Sequence, residues 1–295
     1  MCTVIAWAGK LPKSMLTQLL NAAETRGKDS TGVAYREDGN HTVICRECVP
    51  ASRFTIDHQE TLGKARRSDI GIAHARRASP GNPVNNANAH PFAYFQYVFA
   101  HNGRIMNVKA LCDSHVLALT AKDRLDAKEK RQLDYFKNCT TDSMIIGPYI
   151  HSRNFTDLIG DLGLVWMAGN KVYCLRSCKE LSCATLTWKT QDDAGVVTIA
   201  ASTADIINSA AKACLDLSYT SQFYIVEQNH VYNLTADLLL DEGEVPVNDA
   251  NKHDDYSSGT LPPQEDSVDV IDDGDATAPL PLALDGPDLP AVDVK

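Results

Sequence analysis

Cysteine stands at the second position of this 295-residue sequence. Removal of the initiator Met ahead of so small a side chain would leave Cys2 carrying both a thiol and a free α-amine. Nucleophile and base would then share one Cα. An α-amino group titrates at about 7.7 to 8.0, so near neutral pH it can take up the thiol proton and later return it to a leaving amine. A thiol activated in this way needs no distant histidine. The plainer reading is a small residue entering a buried strand, because the apolar run Thr3-Val4-Ile5-Ala6-Trp7-Ala8 follows at once.

Further polar clusters fall at the ends of expected elements. Arg26-Gly27-Lys28-Asp29-Ser30-Thr31-Gly32 follows a helical pattern of Met15, Leu16, Leu19, Leu20 and Ala23, and His74-Ala75-Arg76-Arg77-Ala78-Ser79-Pro80-Gly81 follows a strand-like run. Asn88-Ala89-His90-Pro91-Phe92, His101-Asn102-Gly103 and Thr141-Asp142 come later. Each has an ordinary structural reading. Asn102-Gly103 is a hairpin signal, Gly27 a helix C-cap, and Asp29, Ser30 and Ser79 are turn residues. Arg76 reads as a charge at a strand end, and Asp142 as a first-turn acid or cap of the helix after it. The nine cysteines are an odd number with no export signal ahead of them, so free thiols are expected rather than a disulfide framework. Cys45-Arg46-Glu47-Cys48 has zinc-ligand spacing, but Cys174, Cys178 and Cys183 do not supply a second such pair. No metal is expected.

The elements that must position these residues are strand-rich. Runs of β-branched and aromatic residues lie at 32–35, 42–45, 70–75, 94–101, 162–167, 171–175, 196–201 and 223–231, and helical patterns at 141–150 and 203–217, the first interrupted by Pro148. Strand-rich stretches separated by helices point to an α+β layered domain with antiparallel sheets, not a doubly wound parallel one. Acids and bases alternate between residues 121 and 137 at spacings that suit an exposed helix.

Composition bounds the rest. Hydrophobic residues make up 44% and charged residues 22%, an ordinary globular profile, and no run approaches the roughly 18 apolar residues that span a bilayer. The N-terminus does not read as a secretory signal, so a cytoplasmic protein without membrane attachment is expected. The net charge of −10 is unevenly spread: residues 241–295 hold 15 acids against two bases, leaving 23 acids against 26 bases in residues 1–240. That near-neutral body gives no support to nucleic-acid binding. From Glu242 onward lie seven of the 13 prolines and few aromatics, so 241–295 is expected to be an acidic, Pro-rich disordered tail following a domain over 2–240. Truncation after Leu240 should then leave thermal stability nearly unchanged.

The five clusters behind Cys2 resemble, in order and spacing, the glutaminase domain of the class II glutamine amidotransferases, members of the N-terminal-nucleophile (Ntn) hydrolase superfamily. The resemblance covers about residues 2–235 and implies a four-layer αββα sandwich of two antiparallel sheets. It implies that Cys2 attacks the side-chain amide of L-glutamine, forms a glutamyl thioester and releases ammonia before water frees glutamate. Asn102 and Gly103 would then offer a side-chain amide and a backbone N–H to the oxyanion. Free glutamine carries one carboxylate and one ammonium, for which Arg76 and Asp142 are the matching cation and anion, the planar guanidinium fork suiting a carboxylate. Ser79 matches a position at the carboxylate end of the substrate, and Arg26 and Gly27 match positions lining the pocket. His90 and His101 are assigned to structural hydrogen bonding. No cofactor is implied.

Two departures bear on the loop that closes over glutamine: Arg77 stands where many sugar-phosphate-aminating members have Trp, and Pro80 where His is frequent. The segment between Gly103 and Asp142 is longer than in the common members, and its charged helix is a candidate partner surface. Residues after the domain offer no second catalytic site. The leading reading is therefore a stand-alone amidotransferase subunit that supplies ammonia to a separate synthetase or amidoligase. An Ntn-type amidohydrolase acting on a γ-glutamyl or other small amide, and a catalytically idle interaction module, are the alternatives.

Overall fold

The computed structural model describes residues 2–37, 41–78, 85–189, 194–215, 219–248 and 292–294. In chain order the elements are β1 (Thr3–Ala8), α1 (Met15–Ala23), β2 (Ser30–Arg36), β3 (Thr42–Glu47), α2 (Ala51–Asp57), α3 (Gln59–Ala65), β4 (Ile70–Arg76), β5 (Phe92–Tyr94) and β6 (Tyr97–Asn102). There follow α4 (Val108–Thr120), α5 (Ala127–Lys137), a 3-10 turn (Asp142–Ile146) running into α6 (Gly147–Ser152), β7 (Gly163–Ala168), β8 (Lys171–Arg176), β9 (Ser182–Lys189) and β10 (Ala194–Ala201). The chain continues through α7 (Ala204–Cys214), β11 (Tyr219–Tyr224), β12 (His230–Leu234), β13 (Leu239–Glu244) and β14 (Val292–Val294).

The strands form two sheets, an eight-stranded one in the order β11-β9-β10-β1-β4-β2-β3-β14 and a six-stranded one in the order β13-β12-β8-β7-β6-β5. Every pairing is antiparallel except β14 with β3. Alternate residues of β1 serve two different cores, which explains why its sequence is apolar throughout rather than alternating. Ile5 and Trp7 join Leu16, Leu19, Leu20, Ile206 and Ile207 of α1 and α7 on the outer face, whereas Val4, Ala6 and Ala8 meet Val98, Ala100, Val165 and Cys174 of the second sheet. The second sheet turns Phe99, Leu164 and Trp166 outward against Phe136, Ile145, Ile146 and Tyr149 of the α4–α6 layer. The result is helices, sheet, sheet and helices, the expected four-layer arrangement.

Several elements differ from the sequence reading. Helices α2, α3 and α4 and strand β9 were not foreseen, and the expected strand over 223–231 is the end of β11 and the start of β12. The charged helix is present as α5, started by an Asp126–Glu129 capping box. It is not merely solvated: Phe136 is buried and its ring stacks on His115 at 4.4 Å, while Gln132 Nε2 donates to the Tyr94 hydroxyl at 3.1 Å. Pro148 falls in the first turn of α6, where no intrahelical N–H is required, so the 3-10 turn passes into the helix without a break.

The expected domain end at 240 is too early. β13 runs through that position, and beyond it Val245 and Val247 are buried in the second core, Phe155 N–H donates to Pro246 O at 2.9 Å, and Arg153 bridges Glu242 at 2.6 Å. A composition count cannot see two valines completing a core formed elsewhere. Burying them stabilises by about 1.5–3 kcal/mol each. A chain ending at Leu240 should therefore melt on the order of 10 °C below one ending at Asn248; equal melting temperatures would show that 241–248 adds nothing. Residues 249–291 of the expected tail lie outside the described residues, while Val292–Val294 pairs in parallel with Thr42–Ile44.

Candidate active site

β1 sits inside the larger sheet with β10 on one side and β4 on the other, pairing Thr3 with Ala75 and Ile5 with both Ala73 and Ala201. Cys2 directly precedes this strand. Its thiol donates to Arg77 O at 3.4 Å, and its own carbonyl accepts from Arg26 Nε at 3.5 Å. Burial pushes the thiol pKa up; the backbone contact with Arg77 and the positive charge of Arg76 act the other way, and Asp142 adds to the rise. At neutral pH the group is a thiol, and attack requires a base to take its proton.

The loop after α1 braces this strand end twice. Arg26 holds the Cys2 carbonyl, while Asp29 N–H donates to Arg76 O at 2.9 Å and the Asp29 carboxylate accepts from Ala78 N–H at 2.6 Å. Gly27 is not the C-cap of α1, which is Glu24. Its side-chain-free Cα permits close approach: a Cβ there would lie 2.5 Å from the Arg76 carbonyl carbon.

Arg76 ends β4 opposite Ser30 and is only 3% exposed. Asp142, 6% exposed, opens the 3-10 turn, and one carboxylate oxygen accepts from Ile105 N–H at 2.9 Å. Both charges act on the Cys2 thiol, so a buried cation and a buried anion flank the sulfur. The hydroxyls of Thr3, Ser30 and Thr141, chain neighbours of Cys2, Asp29 and Asp142, are buried with no hydrogen-bond partner among the described residues.

Asn102 and Gly103 close the group from the second sheet. Asn102 is the last residue of β6 and pairs with Gly163 in β7, so Asn-Gly here is no hairpin turn. Gly103 has φ +153°, and a Cβ would meet Asp161 O at 2.1 Å and His101 Nε2 at 2.6 Å. Asn102 Nδ2 donates to Ser202 Oγ at 3.2 Å. The His101 ring lies between the two halves of the site: Nε2 donates to Asp161 O at 2.8 Å, leaving Nδ1 to accept from the Ser143 hydroxyl at 3.0 Å. Lys179 secures the Asp161 carboxylate at 2.6 Å.

His101 thus has the structural bonding expected of it, but His90 does not. Both of its ring nitrogens lack a hydrogen-bond partner among the described residues, and it packs as a ring, stacked on His74 at 4.0 Å and edge-on to Phe92 at 4.4 Å. Burial lowers the pKa of His74 to about 3, of His90 well below its usual value, and of His101 downward as well. In the unfolded chain these rings take up protons near pH 6.5, while in the fold His74 and His90 stay neutral well below that and the His101 pKa is shifted down in the same direction. Stability is therefore full above pH 6.5 and lost as pH falls below it, by about 1.4 kcal/mol per pH unit for each such histidine. Urea unfolding at pH 7.5, 6 and 5 should show this fall, and a flat profile would mean that the three rings are protonated in the fold.

Of the residues singled out in the sequence, Cys2, Arg26, Gly27, Arg76, Asn102, Gly103 and Asp142 meet around the end of β1. Ser79 and Pro80 lie outside the described residues; Arg77 contributes its carbonyl to the thiol. Two cavities, about 370 and 420 Å³, lined by Trp188 with Arg66, Arg67 and Asp69 and by Phe92, Tyr135, Asn138 and Met144, lie elsewhere and include none of the seven. Sequence reasoning missed Ser202, Ser143 and Asp161, which touch the site through other side chains and carry no motif of their own.

Two antiparallel sheets between helix layers, with a cysteine directly ahead of an inner strand of the larger sheet, are consistent with an Ntn-type fold. Comparison with known proteins narrows this. Residues 1–119 match the family model described as class-II glutamine amidotransferases. Glutamine–fructose-6-phosphate aminotransferase (isomerizing) of Xylella fastidiosa is 31% identical over 183 residues, covering 61% of this chain and 27% of that protein. The same-named protein of Francisella tularensis is 36% identical over 100 residues, 33% of this chain and 16% of that one. The solved structure of glutamine phosphoribosylpyrophosphate amidotransferase from B. subtilis superposes with a TM-score of 0.54 at 14% identity, covering 82% of this chain and 49% of that one, a likeness of fold. The likeness to class II glutamine amidotransferases thus rests on the N-terminal part of the chain, which spans about a quarter or less of the curated relatives named. Among the described residues no helix is long and apolar enough to cross a membrane.

Proposed function

We propose that this chain is a glutaminase subunit that hydrolyses L-glutamine to glutamate and ammonia and passes the ammonia to an acceptor enzyme, a synthetase or amidoligase, on a separate chain. The observation that carries this reading is the pair of opposite buried charges, Arg76 and Asp142, acting on one half-buried thiol. A free amino acid presents one carboxylate and one ammonium, and such a pair offers each a partner in a setting where an unpaired charge is costly.

In this reading the α-amine of mature Cys2 takes the thiol proton as sulfur attacks the side-chain carbonyl carbon of glutamine. The carbonyl oxygen becomes an oxyanion and receives N–H donors from Asn102 Nδ2 and the Gly103 backbone. Collapse breaks the C–N bond, the α-ammonium returns its proton to the departing nitrogen, and ammonia leaves. Water then adds to the thioester, and its collapse frees glutamate and restores the thiol. Arg26 and the Asp29 brace keep Cys2 and Arg76 in fixed relation through these steps. Gly27 lines the same loop, and Ser79 is assigned to the substrate's carboxylate end.

The reading is tested by intact mass together with glutamate release from glutamine: active protein should lack the initiator Met, and activity with Met1 retained would refute it. Arg76→Lys should raise KM for glutamine roughly 10- to 100-fold, the range lost with a charge-assisted hydrogen bond. An unchanged KM would remove Arg76 from substrate binding.

A further inference from the structure

Ser202 is fully buried where β10 gives way to α7, and its hydroxyl joins the two sheets at the site. β10 pairs with β1 up to Ala201 opposite Ile5, and the next step of the ladder is altered. Ser202 N–H donates to Val4 O at 3.1 Å, but Val4 N–H is answered by Ser202 Oγ at 3.0 Å. The side chain stands in for the carbonyl that the turn into α7 withdraws. The same oxygen accepts from Asn102 Nδ2 at 3.2 Å, across from the other sheet.

We propose that Ser202 is the positioning residue that sets the oxyanion donor, an inference that rests on the glutaminase reading. A primary amide has two N–H bonds on one side and a carbonyl oxygen on the other, and its two ends have nearly the same shape. With one N–H of Asn102 directed into Ser202 Oγ, the amide plane is held and the second N–H is left for the developing oxyanion. Because Val4 N–H already donates to that oxygen, the acceptor is tied to β1, the strand that Cys2 directly precedes. Donor and nucleophile are thereby registered to each other through one oxygen atom. Without it the Asn102 amide is free to turn, and its own oxygen can then face the oxyanion and repel it.

Ser202→Ala should lower kcat for glutamine roughly 10- to 100-fold, a part of what full loss of the donor costs, with KM within about threefold. Ser202→Thr, which keeps Oγ, should recover most of the rate. Alkylation of Cys2 by iodoacetamide, in which sulfur displaces iodide at carbon and no oxyanion forms, should proceed at the wild-type rate in Ser202→Ala. Peptide mass mapping against Cys2→Ala isolates that site. An unchanged kcat, or alkylation slowed as much as turnover, would overturn the proposal and leave Ser202 as a support of β1 only. Crystal structures of wild type and Ser202→Ala separate this from the glutaminase reading. Should the wild type release no glutamate, that reading fails, while an Asn102 amide displaced in the variant still supports the positioning role and an unmoved one refutes it.

Discussion

Cys2→Ala is expected to abolish glutamate release, by at least about 10,000-fold, as removal of a covalent nucleophile does elsewhere. The protein should nevertheless fold normally. Sγ makes one 3.4 Å contact with Arg77 O, and the bond that secures the residue, from Arg26 Nε, goes to the Cys2 carbonyl, which alanine keeps. The melting curve should therefore superimpose on that of the wild type. Retention of activity would disprove the assignment, whereas loss of both activity and fold would call for Cys2→Ser as the comparison. Because burial holds the thiol protonated at neutral pH, acetylation of the terminal amine should be almost as damaging as loss of sulfur.

Asn102→Ala is expected to lower kcat about 100- to 1000-fold with little change in KM, the pattern of an interaction made only in the transition state. The Gly103 backbone donor remains in that variant, so residual turnover should exceed that of Cys2→Ala. Steady-state kinetics on both proteins decides this; a raised KM at unchanged kcat would place Asn102 in ground-state binding instead. A Gly103 variant is a poorer probe. Any Cβ there meets Asp161 O at 2.1 Å, and lost activity would mix chemistry with a displaced loop.

The layered α+β class was legible from strand-rich stretches separated by helices, and the buried place of β1 from its apolar run. Val4, Ala6 and Ala8 face one core, Ile5 and Trp7 the other, and a continuous apolar run is what two buried faces require. α1 was equally legible, since Met15, Leu16, Leu19 and Leu20 fall on one face at helical spacing. Cys2, Arg76 and Asp142 were singled out through the resemblance, each having a plain structural reading by itself, and the structure places the two charges where both act on the thiol. The site was not legible where a common residue acts by location. Ser202 reads as a polar residue ahead of a helix, and only the meeting of β10, β1 and β6 shows what its hydroxyl serves. Gly27 was misread for a related reason: local sequence suggests a helix cap, but the demand on it comes from the Arg76 peptide, far along the chain. The domain end was misplaced because Val245 and Val247 complete a core whose other members, among them Phe155, Leu162, Leu175 and Val231, lie earlier in the chain and are brought beside them only by the fold.

The place of β1, with hydrogen-bonded neighbours on both edges, limits how turnover can be throttled. The sulfur has no room to withdraw, since retreat would unzip the middle of the larger sheet. Asp142, by contrast, stands on a short turn fastened through Ile105 to the loop that follows β6, and α4 and α5 lead into that turn. A protein gripping those two helices would find there the yielding half of the vise, and could loosen its hold on an amino acid while leaving the attacking atom where it is.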